Sequence, residues 1–242
     1  MSAAPLLTTS GLTRRFGGIA AVTDFSCELF PSEILGLIGP NGAGKSTTFN
    51  LLSGFLRPNA GEVWFNGSRI DRLRPAAISR LGLVRTFQHN SLFRNLTVLD
   101  NVLVGATVST RTPVERLRLA EATIDQFDLL PWVNEPAGSL PHGRQRLLSM
   151  AIAFATRPRL LCLDEPLTGL NQTETAKVLE IIKRLRSDRS TAILFVEHNV
   201  RAVMNLCDRI IVLDQGRKIA EGTPAAISRD PQVIKAYLGD AE

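Results

Sequence analysis

The 242-residue sequence predicts an α/β fold: a mainly parallel sheet, an N-terminal antiparallel β subdomain, and an α-helical subdomain inserted mid-chain. Three observations carry this prediction. The apolar runs at 34–38, 160–163 and 192–196 are continuous rather than alternating, as expected of strands buried on both faces of a parallel sheet. Between about Asn90 and Met150 the spacing of apolar residues turns helical. Residues Gly39 to Ser46 spell G-P-N-G-A-G-K-S, after the first of those runs and before Phe49, Leu52 and Phe55 at helical spacing. Strand, loop and helix in that order are the setting of a P-loop.

Along the chain, the first thirty residues hold two strand-like runs around a turn at Phe16-Gly17-Gly18. The strand at 34–38 and the P-loop helix follow. Glu62-Val63-Trp64-Phe65 runs into Asn66-Gly67, a strong turn signal, and predicts a hairpin over 61–70. Pro75 opens a short helix, where its fixed φ suits the first turn, and Gly82 closes it. Residues 81–84 read as a further strand. In the helical stretch, Val114, Leu117, Ile124, Phe127 and Leu130 share a face, with Glu115, Arg116, Arg118 and Asp125 opposite. Strands and helices then alternate. The helix after 160–163 carries Val178, Ile181, Ile182 and Leu185 on one side, with Asn171 as N-cap and Glu174 three residues on. The strand at 209–213 ends at a turn, Gln215-Gly216. A single domain spanning 1–242 is expected, with 1–88 and 151–242 as a P-loop NTPase core carrying the β subdomain and 89–150 as the helical subdomain.

Composition narrows the functional class. Hydrophobic residues make up 44% and charged residues 21%, the balance of an ordinary globular protein long enough to bury a full core. No uncharged apolar run approaches the ~18 residues of a membrane span. The start, Met1-Ser2-Ala3-Ala4-Pro5, lacks a basic segment ahead of an apolar one, so no secretory signal is expected. Cys27, Cys162 and Cys207 are widely spaced, each within an apolar run. Buried thiols are expected, rather than a disulfide framework or a metal site, in a reducing cytosolic setting. The net charge of +5 comes largely from scattered arginines without a basic stripe, so no nucleic-acid partner is expected.

The loop chemistry points to a polyphosphate. Glycines let the backbone turn tightly and bring its N–H groups close to an anion, and the helix that starts there adds its positive end. Gly39, Asn41, Gly42, Ala43, Gly44, Lys45, Ser46 and Thr47 form the candidate cradle. Lys45 can reach the outer phosphates and the Ser46 hydroxyl can ligate their magnesium. The run at 160–163 ends in Asp164-Glu165, an acidic pair that is costly at a buried strand end unless a cation or donors satisfy it. Asp164 is placed to hold magnesium, and Glu165 to orient or deprotonate an attacking water. The run at 192–196 ends in Glu197-His198, and His198 is expected beside the P-loop strand, near the γ-phosphate or the water.

Over nearly its whole length the chain resembles ATP-binding cassette (ABC) ATPase subunits. Lys45 and Ser46 match the Walker A motif, Asp164 matches Walker B, and Glu165 its catalytic glutamate. Gln88 matches the Q-loop and His198 the switch histidine. Phe16 sits where the family stacks adenine on an aromatic. Leu140-Pro141-His142-Gly143-Arg144-Gln145-Arg146 occupies the position of the L-S-G-G-Q signature. The resemblance implies ATP and Mg2+ as ligands, with Ser46, Gln88 and Asp164 toward the metal, Gly143 toward phosphate, and Glu165, His198 and Lys45 as catalytic residues. It also implies a head-to-tail dimer with a second ATPase subunit, identical or different, in which each signature closes over the other's γ-phosphate. Membrane-spanning permease subunits, an indirectly coupled solute-binding protein and a place at the cytoplasmic face of the cell membrane follow from the same likeness. Arg85-Thr86-Phe87-Gln88-His89, residues 92–98, Gly169-Leu170-Asn171, Val196-Glu197-His198-Asn199 and the tail at 233–239 resemble the ATPases of branched-chain amino-acid importers in particular.

The sequence departs from the family pattern in the signature. Pro141 replaces the serine, removing a hydroxyl and a backbone donor together. Arg144 replaces the glutamine, as either a cation near ATP or a solvated helix-start residue. Asn171 stands where many cassettes carry the D-loop aspartate, and residues 104–113 are short for the branch. Slower turnover is the expectation. Lipid or lipopolysaccharide export, urea import, and a nucleotide-binding module with weak turnover are the alternatives.

Overall fold

A computed structural model describes residues 4–86, 92–189 and 191–238. The N-terminal part forms β1 (Leu7–Phe16), β2 (Ile19–Leu29), β3 (Ile34–Ile38), α1 (Lys45–Leu52), β4 (Ala60–Phe65), β5 (Ser68–Arg69), α2 (Pro75–Arg80) and β6 (Leu83–Arg85). The helical part holds α3 (Val98–Ala106), α4 (Pro113–Gln126) and α5 (His142–Ala155). The chain then returns through β7 (Leu160–Asp164), α6 (Gln172–Arg189), β8 (Ala192–Val196), α7 (Val200–Leu206), β9 (Arg209–Asp214), β10 (Arg217–Gly222), α8 (Pro224–Ile227) and α9 (Pro231–Leu238). Among the described residues no helix is long and apolar enough to cross a membrane.

The strands sort into two sheets. One has the order β2-β1-β4-β5 and is antiparallel throughout, the expected β subdomain. The other runs β10-β9-β3-β8-β7-β6, parallel except for the β9–β10 edge hairpin at Gln215-Gly216. Every residue of β3, β7 and β8 is buried, which explains their unbroken apolar runs. Alternate residues feed two separate cores. Ile34, Ile38, Leu161, Leu163, Ile193 and Phe195 face the core shared with the helical subdomain, while Leu35, Leu37, Leu160, Cys162, Leu194 and Val196 face the β subdomain.

Several boundaries differ from the sequence reading. The P-loop helix stops at Leu52, short of Phe55, because Gly54 at φ 75° turns the chain. The strand expected at 81–84 occupies Leu83–Arg85, since Gly82 at φ 102° holds Leu81 in the preceding turn. Leu130 lies beyond α4 in a short 3-10 turn, after Asp128 takes φ 53°. The Asn171–Glu174 box is present in both directions, the Glu174 N–H donating to Asn171 Oδ1 and the Asn171 N–H to Glu174 Oε2, each at 3.0 Å.

All three cysteines are buried free thiols. Burial pushes Cys27 up to about 11 and Cys162 up to about 12, and raises Cys207 as well. The thiolate is the reactive form. Ellman's reagent at pH 8 should therefore find almost no thiol in the native protein and three per chain in denaturant. Rapid native labelling would refute this burial.

Candidate active site

The P-loop joins the carboxyl end of β3 to α1. Gly44, the residue before α1, has φ 101°, and a Cβ there would lie 2.5 Å from the Ala21 carbonyl oxygen of β2. Only glycine fits that conformation and that approach. The Gly216 N–H donates to the Ala43 carbonyl at 3.0 Å and the Thr23 N–H to the Gly216 carbonyl at 2.7 Å, so the loop is braced by β2 and the β9–β10 turn. No side chain caps α1 and no acid stands in its first turn. The first-turn N–H groups of such a helix have no intrahelical acceptors, an arrangement that can receive an anion. Lys45 folds back over the loop, its Nζ donating to the carbonyls of Gly39 at 2.7 Å and Pro40 at 3.0 Å. Burial lowers its pKa, and the charge of Glu165 opposes that shift. Lys45 and Glu165 are therefore electrostatic neighbours, although they come from different strand ends.

β8 lies between β3 and β7, which sets the acids across from the loop. Asp164 closes β7 with only 2% of its surface exposed. Its Oδ2 accepts from Arg85 Nη2 at 2.9 Å, while its Oδ1 is buried with no hydrogen-bond partner among the described residues. Burial raises its pKa against the charge and hydrogen bond of Arg85. Such an orphaned oxygen fits a cation ligand. Glu165 takes φ 46°, with its N–H on the Val196 carbonyl at 2.9 Å, and its side chain is partly exposed. His198, two residues past β8, brings Nδ1 to 3.9 Å from Glu165 Oε1 and 3.8 Å from Glu197 Oε2. Phe16 ends β1 at the hairpin tip, exposed, with the Arg14 guanidinium 4.7 Å above its ring. Gln88 lies outside the described residues.

The signature segment starts α5. Pro141 is its N-cap residue, and the Arg144 and Gln145 N–H groups both donate to the Pro141 carbonyl. Gly143 packs against α6: a Cβ there would come within 2.8 Å of Glu174 Cδ. The Arg144 guanidinium stacks on Trp132, 3.6 Å from the ring centroid, so one face of it is engaged within its own subdomain.

The sequence model of the family described as "ABC transporter" matches residues 22–168. The chain belongs to this family. A second family, described as "Branched-chain amino acid ATP-binding cassette transporter", matches residues 217–242 of the cassette. Among curated proteins it is 42% identical to the high-affinity branched-chain amino acid transport ATP-binding protein LivG of Escherichia coli K12, covering 98% of this chain and 99% of LivG. It is 34% identical to the lipopolysaccharide export system ATP-binding protein LptB of Acidithiobacillus ferridurans, over 97% of each chain. The crystal structure of MJ1267, an ATP-binding cassette of an ABC transporter in its ADP conformation, superposes with a TM-score of 0.87 at 28% identity, covering 98% of this chain and 100% of that one. The cassette is thus an ATPase subunit that powers transport.

Two residues of the cassette site escaped the sequence reading. Glu197 is fully buried and accepts from the N–H groups of Leu167 at 2.8 Å and His198 at 3.2 Å, with its pKa raised by burial. It ties the loop after Glu165 to the base of His198. Arg85 bonds Asp164 across 79 positions of sequence. A buried acid after an apolar run was the one available signal for Glu197. Nothing local marks Arg85 as the partner of Asp164.

Proposed function

We propose that this cassette powers uptake of branched-chain amino acids across the cell membrane, from a peripheral position on the cytoplasmic face. The observation that carries the solute class is the match of residues 217–242 to the branched-chain family, and the greater identity to LivG than to LptB supports it. In this reading the P-loop amides receive the triphosphate of ATP, and Lys45 exchanges its own loop carbonyls for phosphate oxygens. Phe16 offers its exposed ring to adenine. The Ser46 hydroxyl, Oδ1 of Asp164 and Gln88 would supply the donor set for Mg2+, which when bound neutralises phosphate charge. Glu165 takes the proton of the attacking water, and His198 steadies that water or the γ-phosphate.

A second cassette, identical or different, completes each site by presenting its own α5 N-terminus, with Gly143, to the γ-phosphate. Membrane-spanning permease subunits receive the closure of this pair, and a solute-binding protein couples through them. The test is reconstitution of the cassette with its co-purifying membrane proteins in vesicles. ATPase activity should rise several-fold with a leucine-, isoleucine- or valine-loaded binding protein. Stimulation by urea or lipopolysaccharide instead would overturn the solute assignment.

A further inference from the structure

Arg85 is a charged group at this site to which the reading above gives no part. We propose that Arg85 is a positioning residue for the metal: by clamping one oxygen of Asp164 it aims the other at the cation that accompanies ATP. The proposal rests on Asp164 serving as a metal donor.

The guanidinium is held from several directions. Arg85 ends β6, beside β7 in the parallel sheet. Nη2 donates to Asp164 Oδ2 at 2.9 Å, while Nη1 donates to Asn50 Oδ1 and to Ser53 Oγ at 3.3 Å. Its carbon centre lies 4.5 Å from the Phe49 ring centroid and 5.3 Å from that of Phe55. Asn50 and Phe49 belong to α1, and Ser53 and Phe55 follow directly.

Two features distinguish this arrangement from an ion pair that serves only stability. An arginine and a carboxylate left to themselves favour a two-bond fork, using both oxygens. Here one arm of the fork is spent on α1, and Asp164 Oδ1 is left buried and unpartnered among the described residues. An unmet carboxylate oxygen in that setting is costly and is relieved by a cation. The second feature is the choice of anchor. α1 is the helix that carries Ser46, the other candidate metal donor. One rigid guanidinium thus fixes Asp164 relative to the helix bearing the Ser46 hydroxyl, across two elements with no covalent closeness.

The experiment uses the full chain with a non-hydrolysable ATP analogue and Mn2+ as probe, its free concentration followed by electron paramagnetic resonance. A parallel titration measures a fluorescent nucleotide in excess chelator. Arg85→Met should weaken Mn2+ by about tenfold or more, the usual effect of removing a residue that orients a metal ligand. Its chelator-measured nucleotide affinity should stay within about twofold of wild type, and Arg85→Lys should fall between Arg85→Met and wild type. Unchanged Mn2+ affinity in Arg85→Met would overturn the proposal, and so would equal losses with and without metal. If Arg85→Met does not fold, Arg85→Lys decides: a loss of about threefold in Mn2+ affinity supports the clamp, and none removes it. Failure of the wild type itself to take up Mn2+ with nucleotide would instead bring down the reading of Asp164.

Discussion

Glu165→Gln should bind ATP as wild type does and hydrolyse it about 100-fold more slowly or worse, the scale of a lost general base. The amide has the size and shape of the carboxylate but no useful basicity. The backbone turn at φ 46° and the bond from its N–H to Val196 do not depend on the side chain. The side chain is partly exposed, so the neutral amide itself is readily solvated, although buried Lys45 loses the nearby opposite charge. Binding without turnover should accumulate an ATP-bound pair of cassettes, visible as a doubling of mass in size-exclusion chromatography with light scattering. Normal hydrolysis in this variant would remove Glu165 from the role of base.

Lys45→Ala should abolish measurable nucleotide binding, a loss of about 100-fold or more, equivalent to about 2.7 kcal/mol. The ammonium is the positive charge nearest the cradle, and it already hovers over the carbonyls of Gly39 and Pro40. Without it, those loop oxygens lose two charge-assisted hydrogen bonds from one donor, and the phosphates would face carbonyl dipoles with no cation between. Fluorescent-nucleotide titration measures the first effect. Thermal melting in the absence of nucleotide reports separately on whether the loop still folds. Near-normal affinity in a well-folded variant would show that the amides of α1 suffice alone.

How much of this was legible in the sequence follows from how local each signal is. The P-loop is written in eight consecutive residues. The strands β3, β7 and β8 declare themselves because burial on both faces leaves no room for a polar residue until the strand ends. That end is where Asp164, Glu165, Glu197 and His198 stand, so the acids could be found by asking what terminates each apolar run. The Asn171–Glu174 box was equally local. By contrast, the Arg85–Asp164 pair exists only because β6 docks beside β7, and the Arg144–Trp132 stack only because the turn after α4 folds back on α5. No spacing rule encodes either contact. The sequence left two roles open for Arg144, and its partner turned out to be an aromatic ring twelve positions away. Helix ends were misjudged where a left-handed residue, Gly54 or Asp128, outweighed apolar periodicity that continued past it.

Glu174 serves two neighbours with one carboxylate. It accepts from the Asn171 N–H and fills the space a methyl group would need at Gly143. A larger residue at 143 would push the end of the Glu174 side chain aside, and that shift would draw the acceptor away from the amide at 171. Positions 143, 171 and 174 are therefore mechanically coupled: a change in bulk at the signature is felt as a change in capping at the start of α6.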